Sequence, residues 1–96
     1  RDGIGCVKLS NGNFIHINTN GIAIHTHQYL ELGVFHKGFA TARDHKGWLH
    51  IDQNGKPIYK QRFQSVEPFY NGFALVQTNE NRQEIINETG HTIHQL

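Results

Sequence analysis

Eight histidines are the residues of this 96-residue chain best suited to chemistry. His25 and His27 lie two residues apart, so in a β-strand both imidazoles would project from the same face. Imidazole nitrogens are common ligands of zinc, copper and nickel, and the pair could therefore begin a metal site. A third ligand could be His94, but no cysteine or carboxylate completes a recognisable ligand spacing. We expect solvated strand histidines and no bound metal or cofactor, with a histidine metal site as an alternative.

Other catalytic arrangements have little support in the sequence. Ser10 and Ser65 lie in a predicted turn and a predicted connector, and nothing in the sequence positions a base beside either. Gly3-Ile4-Gly5 is not a phosphate loop because no helix follows it. The single Cys6 is expected to be a small packed thiol. We therefore expect that this segment is not itself an enzyme, whatever the activity of a parent protein.

The segments that position these residues recur every 34 or 35 residues. Gly38–Ala42 returns as Gly72–Val76, and Gly3–Val7 is a more divergent earlier copy. A second set of segments with the same spacing comprises Phe14–Asn18, Trp48–Asp52 and Gln83–Asn87. A fixed period of this size indicates one supersecondary unit stacked on copies of itself. We expect a single β-repeat domain over 1–96, with approximate units 3–37, 38–71 and 72–96.

Each copy alternates apolar and polar residues with period two, which predicts β-strands. In the middle copy the predicted strands are 39–43, 48–52 and 57–60, separated by a polar turn and an Asn-Gly loop. No helical stripe of useful length appears. The predicted fold is all-β: tandem three-stranded β-meanders of about 34 residues, stacked or closed into a barrel-like array.

Alternation also predicts which side chains share a face of the third strand. The apolar residues are expected in the core: Ile22, Ile24, Ile58 and Ile93. The opposite face is expected to be open, and it supplies four of the candidate binding residues: His25, His27, Tyr59 and His94. Trp48 completes the candidate set as a possible aromatic platform, although a packing anchor is the favoured interpretation. His16 and His50 are equivalent by register to the apolar Ile85, so both are expected to be structural and partly buried.

The segment Gly47–Lys56 resembles the core motif of the bacterial WG repeats, also called KWG repeats, whose consensus places a tryptophan and an Ile-Asp pair before Gly-Lys. The segment Arg62–Val76 is similar to the family connector, which has an aromatic, a phenylalanine and a Gly-Leu-Ala stretch. The family glycine after tryptophan is replaced by Leu49, Ile15 and Glu84. The resemblance implies an all-β repeat module, commonly an appendage or array in bacterial proteins. The family has no agreed catalytic residues, so the resemblance implies binding rather than catalysis.

Composition narrows the partner classes. Nine Lys and Arg are scattered among eight Asp and Glu, giving a net charge of +1, so no nucleic-acid partner is expected. No apolar run approaches the roughly 20 residues of a membrane span, so no membrane partner is expected either. The chain starts at Arg1 without any methionine, from which we expect a piece of a longer protein. The compartment is left open.

Three functions follow from these observations. The leading one is a non-catalytic recognition or scaffolding surface for a partner protein, or for an adjoining domain, within a larger bacterial protein. The first alternative is an accessory domain that docks an adjoining catalytic domain or supplies its substrate. The second alternative is the histidine metal-binding module.

Overall fold

All regular structure in the computed structural model is β, and the structure describes residues 3–96. Arg1, on which the expectation of a processed piece rests, lies outside the described residues. The strands are β1 (Gly5–Lys8), β2 (Phe14–Ile17), β3 (Glu31–Leu32), β4 (Ala40–Asp44), β5 (Gly47–Ile51), β6 (Ser65–Val66), β7 (Phe73–Gln77), β8 (Gln83–Asn87) and β9 (Thr92–Gln95).

The strands form three small antiparallel sheets, in the orders β1-β2, β3-β4-β5 and β6-β7-β8-β9. The all-β prediction is confirmed. Within residues 3–96 none of the sheets closes into a barrel.

The connectors supply strands that the sequence did not predict. β3 pairs with β4, and β6 pairs with β7, so each connector adds a strand to the hairpin that follows it. The two-residue turns Lys37-Gly38 and Asn71-Gly72 have positive φ at every position, between 53° and 89°. Two consecutive left-handed residues make the type I′ turn that matches the twist of a hairpin. Each connector is thereby joined to the next hairpin, while hydrogen bonds from His16 to Gly33 and from His50 to Glu67 also hold it to the preceding one.

The third strand predicted at 57–60 is interrupted. Pro57 pairs with Ile51, and the Ile58 N–H donates to the carbonyl oxygen of His50 at 3.2 Å. The next pairing to β5 is between Phe63 and Trp48, so residues 59–62 bulge away from the strand. The same bulge lies between the pairings of Ala23 and Tyr29 to β2. Among the described residues, only the last copy has a named third strand, β9, and its pairing to β8 shifts register between Ile85 and Ile86.

The predicted faces are only partly right: Ile24 and Ile58 are partly buried against the core, as expected, but four other residues do not lie where alternation places them. His25 and Tyr59 were expected on an open face, and each is only 7% exposed. Ile22 and Ile93 were expected in the core, and they are 60% and 54% exposed. A bulge adds residues on one strand only and so shifts the alternation, which accounts for His25 and Tyr59. Ile22 precedes the first bulge and lies in the exposed loop before it. The prediction of one open face carrying these rings is wrong for His25 and Tyr59.

The second strand of each copy is followed by a loop of the same conformation. We call these three loops the Asx-Gly loops, and they span 18–22, 52–56 and 87–91. In each, the first residue accepts backbone N–H groups on its side-chain oxygen, as Asp52 Oδ1 accepts from Asn54 at 2.9 Å and Lys56 at 3.0 Å. The fourth residue is a glycine with φ between 77° and 84°. A short polar side chain and a glycine are what such a turn requires.

One buried cluster runs through the sheets. Its members are Tyr29, Phe35, Ala40, Ala42, Leu49, Ile51, Tyr59, Phe63, Phe69, Ala74, Val76 and Ile86. β5 buries Leu49, His50 and Ile51 in succession, which means that both of its faces are covered at this point. Trp48 is only half-buried, so the predicted packing anchor of this strand is not its tryptophan.

Candidate functional site

His50 lies in β5 and is fully buried. Its Nε2 is 2.8 Å from the carbonyl oxygen of Glu67, and its Nδ1 is 2.6 Å from the hydroxyl of Tyr59. A carbonyl oxygen can only accept, so Nε2 donates to Glu67 and, in the neutral ring, Nδ1 accepts from Tyr59. Phe69 covers the ring, with centroids 4.1 Å apart. Both nitrogens of this buried imidazole are therefore satisfied.

His16 has equivalent surroundings in β2. Its Nε2 is 2.8 Å from the carbonyl oxygen of Gly33, and its Nδ1 is 2.8 Å from Nε2 of His25. Phe35 covers the ring at a centroid distance of 4.2 Å. By the same reasoning His25 donates through Nε2 to the neutral His16. His25 thus takes the place that Tyr59 takes beside His50.

Burial makes these rings structural groups. Desolvation lowers the pKa of His16, His25 and His50 below the ordinary value of 6.5, because it disfavours the imidazolium form. Burial likewise raises the pKa of Tyr59. The prediction that His16 and His50 are structural is confirmed, and each is fully buried with both ring nitrogens in hydrogen bonds.

Cys6 is also a packing residue. Its Sγ lies 3.3 Å from the carbonyl oxygen of Gly33, and burial raises the pKa of the thiol. A thiol with a raised pKa is a poorer nucleophile at neutral pH. The expected small packed thiol is confirmed.

An open groove of about 760 Å³ lies over the second bulge, and we call it the basic groove. Its lining residues are His27, Lys46, Lys56, Pro57, Ile58, Tyr59, Lys60 and Arg62. Four of the chain's nine Lys and Arg line it, without any carboxylate among the lining residues. A concave surface lined by cations over an apolar floor is suited to an anionic ligand.

The hairpin β4–β5 holds one wall of the basic groove. Gly47 has φ 134°, and a Cβ there would lie 2.9 Å from the carbonyl oxygen of Phe63, so the connector approaches the hairpin as closely as glycine allows. Two backbone hydrogen bonds of 2.8 Å join Phe63 to Trp48 at that point. Arg62 is thereby placed over the β4–β5 turn, where its Nη2 lies 2.9 Å from Asp44 Oδ2.

The Arg62–Asp44 pair is a fixed feature of the wall. Both side chains are largely buried, and Arg62 Nη1 also donates to the carbonyl oxygens of Lys60 and Gln61 at 3.1 and 3.0 Å. Burial acts to raise the pKa of Asp44, but the N–H of Lys46 and the guanidinium of Arg62 outweigh it and leave the pKa lowered. The Arg62 charge is therefore compensated by Asp44.

Three lysines in the basic groove remain exposed: Lys46, Lys56 and Lys60. These lysines are scattered along the sequence, so this group was not predicted. The three lysines do share a feature that is visible in the sequence: each lies in a turn or bulge of the middle copy. The bulge that gathers them is set by pairings on both of its sides, which alternation alone does not indicate.

The structure brings only part of the predicted site together. His27 and Tyr59 line the basic groove, Tyr59 through its buried ring. His25 faces His16 instead, and His94 is exposed on β9. Trp48 lies in β5 outside the lining. Among the described residues, no three His, Cys, Asp or Glu side chains are grouped so that they could hold a metal ion.

Comparison with protein-family models gives a match in the second half of the chain. Residues 51–81 match a family model described as a WG containing repeat. These residues begin at the end of β5 and contain the second bulge, β6 and β7. No curated protein matches the chain significantly. The described part of the chain contains no helix with the length and apolar character needed to cross a membrane.

Proposed function

We propose that this chain, in which residues 51–81 match a WG containing repeat, is a non-catalytic module that recognises an acidic segment of a partner protein in the basic groove. The three exposed lysines carry this proposal. They surround a floor of Pro57, Ile58 and Tyr59 and have no carboxylate beside them in the lining. An extended peptide with acidic side chains matches this surface in charge, and its backbone can lie along the apolar floor.

The titratable groups elsewhere support a binding role rather than a catalytic one. His16 and His50 are committed to internal hydrogen bonds through both nitrogens. Arg62 is committed to Asp44. These groups stabilise the fold, whereas the three exposed lysines of the basic groove remain available to bind a ligand. We also read the recurring bulges and Asx-Gly loops as three tandem copies of one β unit, of which the middle one bears the binding surface.

Fluorescence anisotropy with a labelled Glu-rich decapeptide tests this function. We expect saturable binding that weakens as salt is raised, because the contacts are between exposed charges. Lys56→Glu combined with Lys60→Glu should abolish it. The matched control combines Lys8→Glu and Lys37→Glu, which makes the same change in charge at exposed lysines outside the groove. Equal loss of binding in both double variants would show a general charge effect and contradict the proposed site.

The basic groove would also serve the alternative in which the module docks an adjoining catalytic domain. The acidic segment then belongs to that domain, and Lys56→Glu with Lys60→Glu should reduce the rate of the parent enzyme. An unchanged rate, together with lost binding of the free peptide, supports a separate partner. The histidine metal alternative receives no support from the geometry, because His25 is turned inward to His16 while His27 and His94 are exposed.

A further inference from the structure

The second and third Asx-Gly loops are each covered by a ring from the preceding copy. A Cβ at Gly55 would lie 2.6 Å from Cγ and Nδ1 of His25. A Cβ at Gly90 would lie 2.7 Å from Cβ of Tyr59. Both glycines are buried. The two interfaces therefore have the same construction, but an imidazole can take up a proton in weak acid and a phenol cannot.

The hydrogen bonds of the His16–His25 pair require both rings to be neutral. His16 donates through Nε2 to the carbonyl oxygen of Gly33 and accepts through Nδ1 from Nε2 of His25, at 2.8 Å each. Nδ1 of His25 lies against Gly55, is buried and has no hydrogen-bond partner. Outside the pair, the carbonyl oxygen of Gly33 is thus the acceptor that the four ring nitrogens share.

Added protons disrupt this arrangement in two steps. With one extra proton, Nδ1 of His16 can donate to Nε2 of His25, but the N–H of His25 then moves to Nδ1, where it has no acceptor. With a second proton, Nδ1 of His16 and Nε2 of His25 both carry hydrogen and face each other at 2.8 Å. No choice of tautomer removes this conflict between two charged donors. Separation of the two rings removes it.

The groups that face the pair within the described residues give little compensation for a positive charge. From β1, Cys6 presents a thiol whose pKa is raised, so it stays uncharged. From the bulge itself, His27 acts to lower the pKa of His25, while its backbone acts to raise it. From the second Asx-Gly loop, the carboxylate of Asp52 also acts to raise it. Burial outweighs these effects, and the pKa values of His16 and His25 are both lowered.

The equivalent pair in the middle copy lacks the conflict between donors. The Tyr59 hydroxyl can donate or accept, so it can turn to accept from Nδ1 of a protonated His50. Burial raises the pKa of Tyr59, which therefore takes no part in an acid titration. The buried charge at His50 is still unfavourable, but no two N–H groups are brought together. Acid should thus act on the interface at Gly55 before it acts on the interface at Gly90.

We propose that His16 and His25 form a proton switch, which keeps the first bulge, residues 25–28, packed on the Gly55 loop when both rings are neutral and releases it when both are charged. Because the pKa values of the two rings are lowered in the closed form, the open form binds protons more readily. The population of the open form therefore rises as the pH falls below about 6.5.

Release of the bulge would also change the basic groove. His27 lies in the bulge and Lys56 lies in the covered loop, and both line that groove. The Tyr29 hydroxyl donates to the carbonyl oxygen of Gly55 at 2.5 Å and does not titrate in acid, since its pKa is raised to about 12. This hydrogen bond keeps the opening local. The effect on binding rests on the proposed function of the groove, whereas the opening itself does not.

Two-dimensional NMR from pH 7.5 to 5 tests the opening. In the wild-type chain, amide signals of 25–28 and 52–56 should shift together, and the Gly55 amide should lose protection from exchange. The pH dependence should be steeper than that of a single proton, and the loop 87–91 should keep its signals at the same pH. Simultaneous loss of both loops indicates global unfolding and overturns the proposal. So does an unchanged Gly55 loop over this whole range.

Reciprocal substitutions between the copies supply the matched variants. His25→Tyr gives the first pair the hydroxyl that Tyr59 supplies in the second, and it should abolish the acid opening at Gly55. Tyr59→His should produce a second acid opening, at the loop 87–91. Opening at Gly55 that persists in His25→Tyr, or a loop 87–91 that stays closed in Tyr59→His, contradicts the switch. Either variant tests the switch alone, so poor folding of one leaves the other.

The effect on the groove is measured with the labelled Glu-rich decapeptide. At neutral pH the wild-type chain and His25→Tyr should bind it equally. At the lowest pH at which the loop 87–91 is intact, the wild-type chain should bind about tenfold more weakly than His25→Tyr if about 90% of it is open. Equal affinities there would contradict control of the groove by the switch. Absence of binding by both proteins at neutral pH would contradict the proposed function, and the NMR result would still decide whether the switch exists.

Discussion

At the scale of single residues, histidine acts here as a buried ring with two hydrogen-bonding ends. His50 joins the connector at Glu67 to the bulge at Tyr59, and His16 joins Gly33 to His25 in the same way. A donor at one end and an acceptor at the other make the neutral imidazole suitable for this position. In the last copy Ile85 stands there, and the ring position beside it, His94, is exposed. In the copy that has Ile85 instead of the bridging histidine, the ring of His94 is therefore not buried.

Tyr59→Phe tests the bridge through His50. The substitution keeps the ring on Gly90 but removes the donor to Nδ1, which leaves a buried acceptor unpaired. We expect a loss of about 1–3 kcal/mol in the free energy of unfolding, measured in urea. Tyr70→Phe, at a tyrosine that is 61% exposed, is the matched control and should change stability little. Equal effects in the two variants would argue against the bridge.

The buried histidines also predict how stability depends on pH. The pKa values of His16, His25 and His50 are lowered in the folded chain, so the unfolded chain binds more protons as the pH falls below about 6.5. Stability should therefore fall as the pH drops through this region, by at most about 1.4 kcal/mol per pH unit for each histidine. Urea unfolding from pH 7.5 to 5 measures the slope. His50→Gln should reduce it, and a slope unchanged in this variant would contradict the assignment of His50.

Sequence register predicted the role of these residues better than their chemistry did. His16 and His50 were recognised as structural because their equivalent in the last copy is Ile85. A position that accepts an apolar residue is a packing position rather than a binding site. His25 and Tyr59 were misplaced because alternation was extended through the bulges. The partner of a buried polar group is a feature of tertiary packing, and Gly33 and Glu67 lie 17 residues beyond the histidines that they bind.

At the scale of elements, the Asx-Gly loop and the ring that covers it form the interface between copies. Gly55→Ala and Gly21→Ala separate its two contributions. Both place alanine at nearly the same positive φ, which costs about 1–2 kcal/mol. Only Gly55→Ala also drives a Cβ into His25, and this overpacking should add about 1–3 kcal/mol. Thermal and urea unfolding at low protein concentration measure both, and equal losses would show that the ring contact contributes nothing.

The hairpins and loops were predictable from the sequence, and the connectors were not. β4 and β5 lie within one residue of their predicted bounds, because alternation and a Gly-containing turn determine a hairpin locally. β3 and β6 are two residues long and lack any alternation of their own. They form because the type I′ turns at Lys37-Gly38 and Asn71-Gly72 fold each connector back on the strand that follows. The basic groove was missed because it lies over the second bulge, which is set by the pairings of Pro57 and Phe63 to β5.

At the scale of the whole molecule, the described chain is elongated, with extents of 42 × 27 × 16 Å. Contacts between elements run from neighbour to neighbour along the sequence, and β1 and β9 pair only with β2 and β8. An array joined in this way is stabilised by each copy and by its interfaces with adjacent copies. The middle copy has two such interfaces, whereas the first and last have one each.

Hydrogen exchange should therefore show a gradient of protection along the molecule. Amides of β4 and β5 should exchange most slowly, and those of β9, whose residues are all exposed, most rapidly. Gly55→Ala weakens the interface between the first and middle copies, so it should speed exchange in β1 and β2 more than in β7 and β8. Gly90→Ala should have the opposite bias, because the Tyr59 ring covers the loop that follows β8. Mass spectrometry of peptic fragments resolves these regions, and uniform exchange in all three proteins would mean that the chain opens as one cooperative unit rather than as coupled copies.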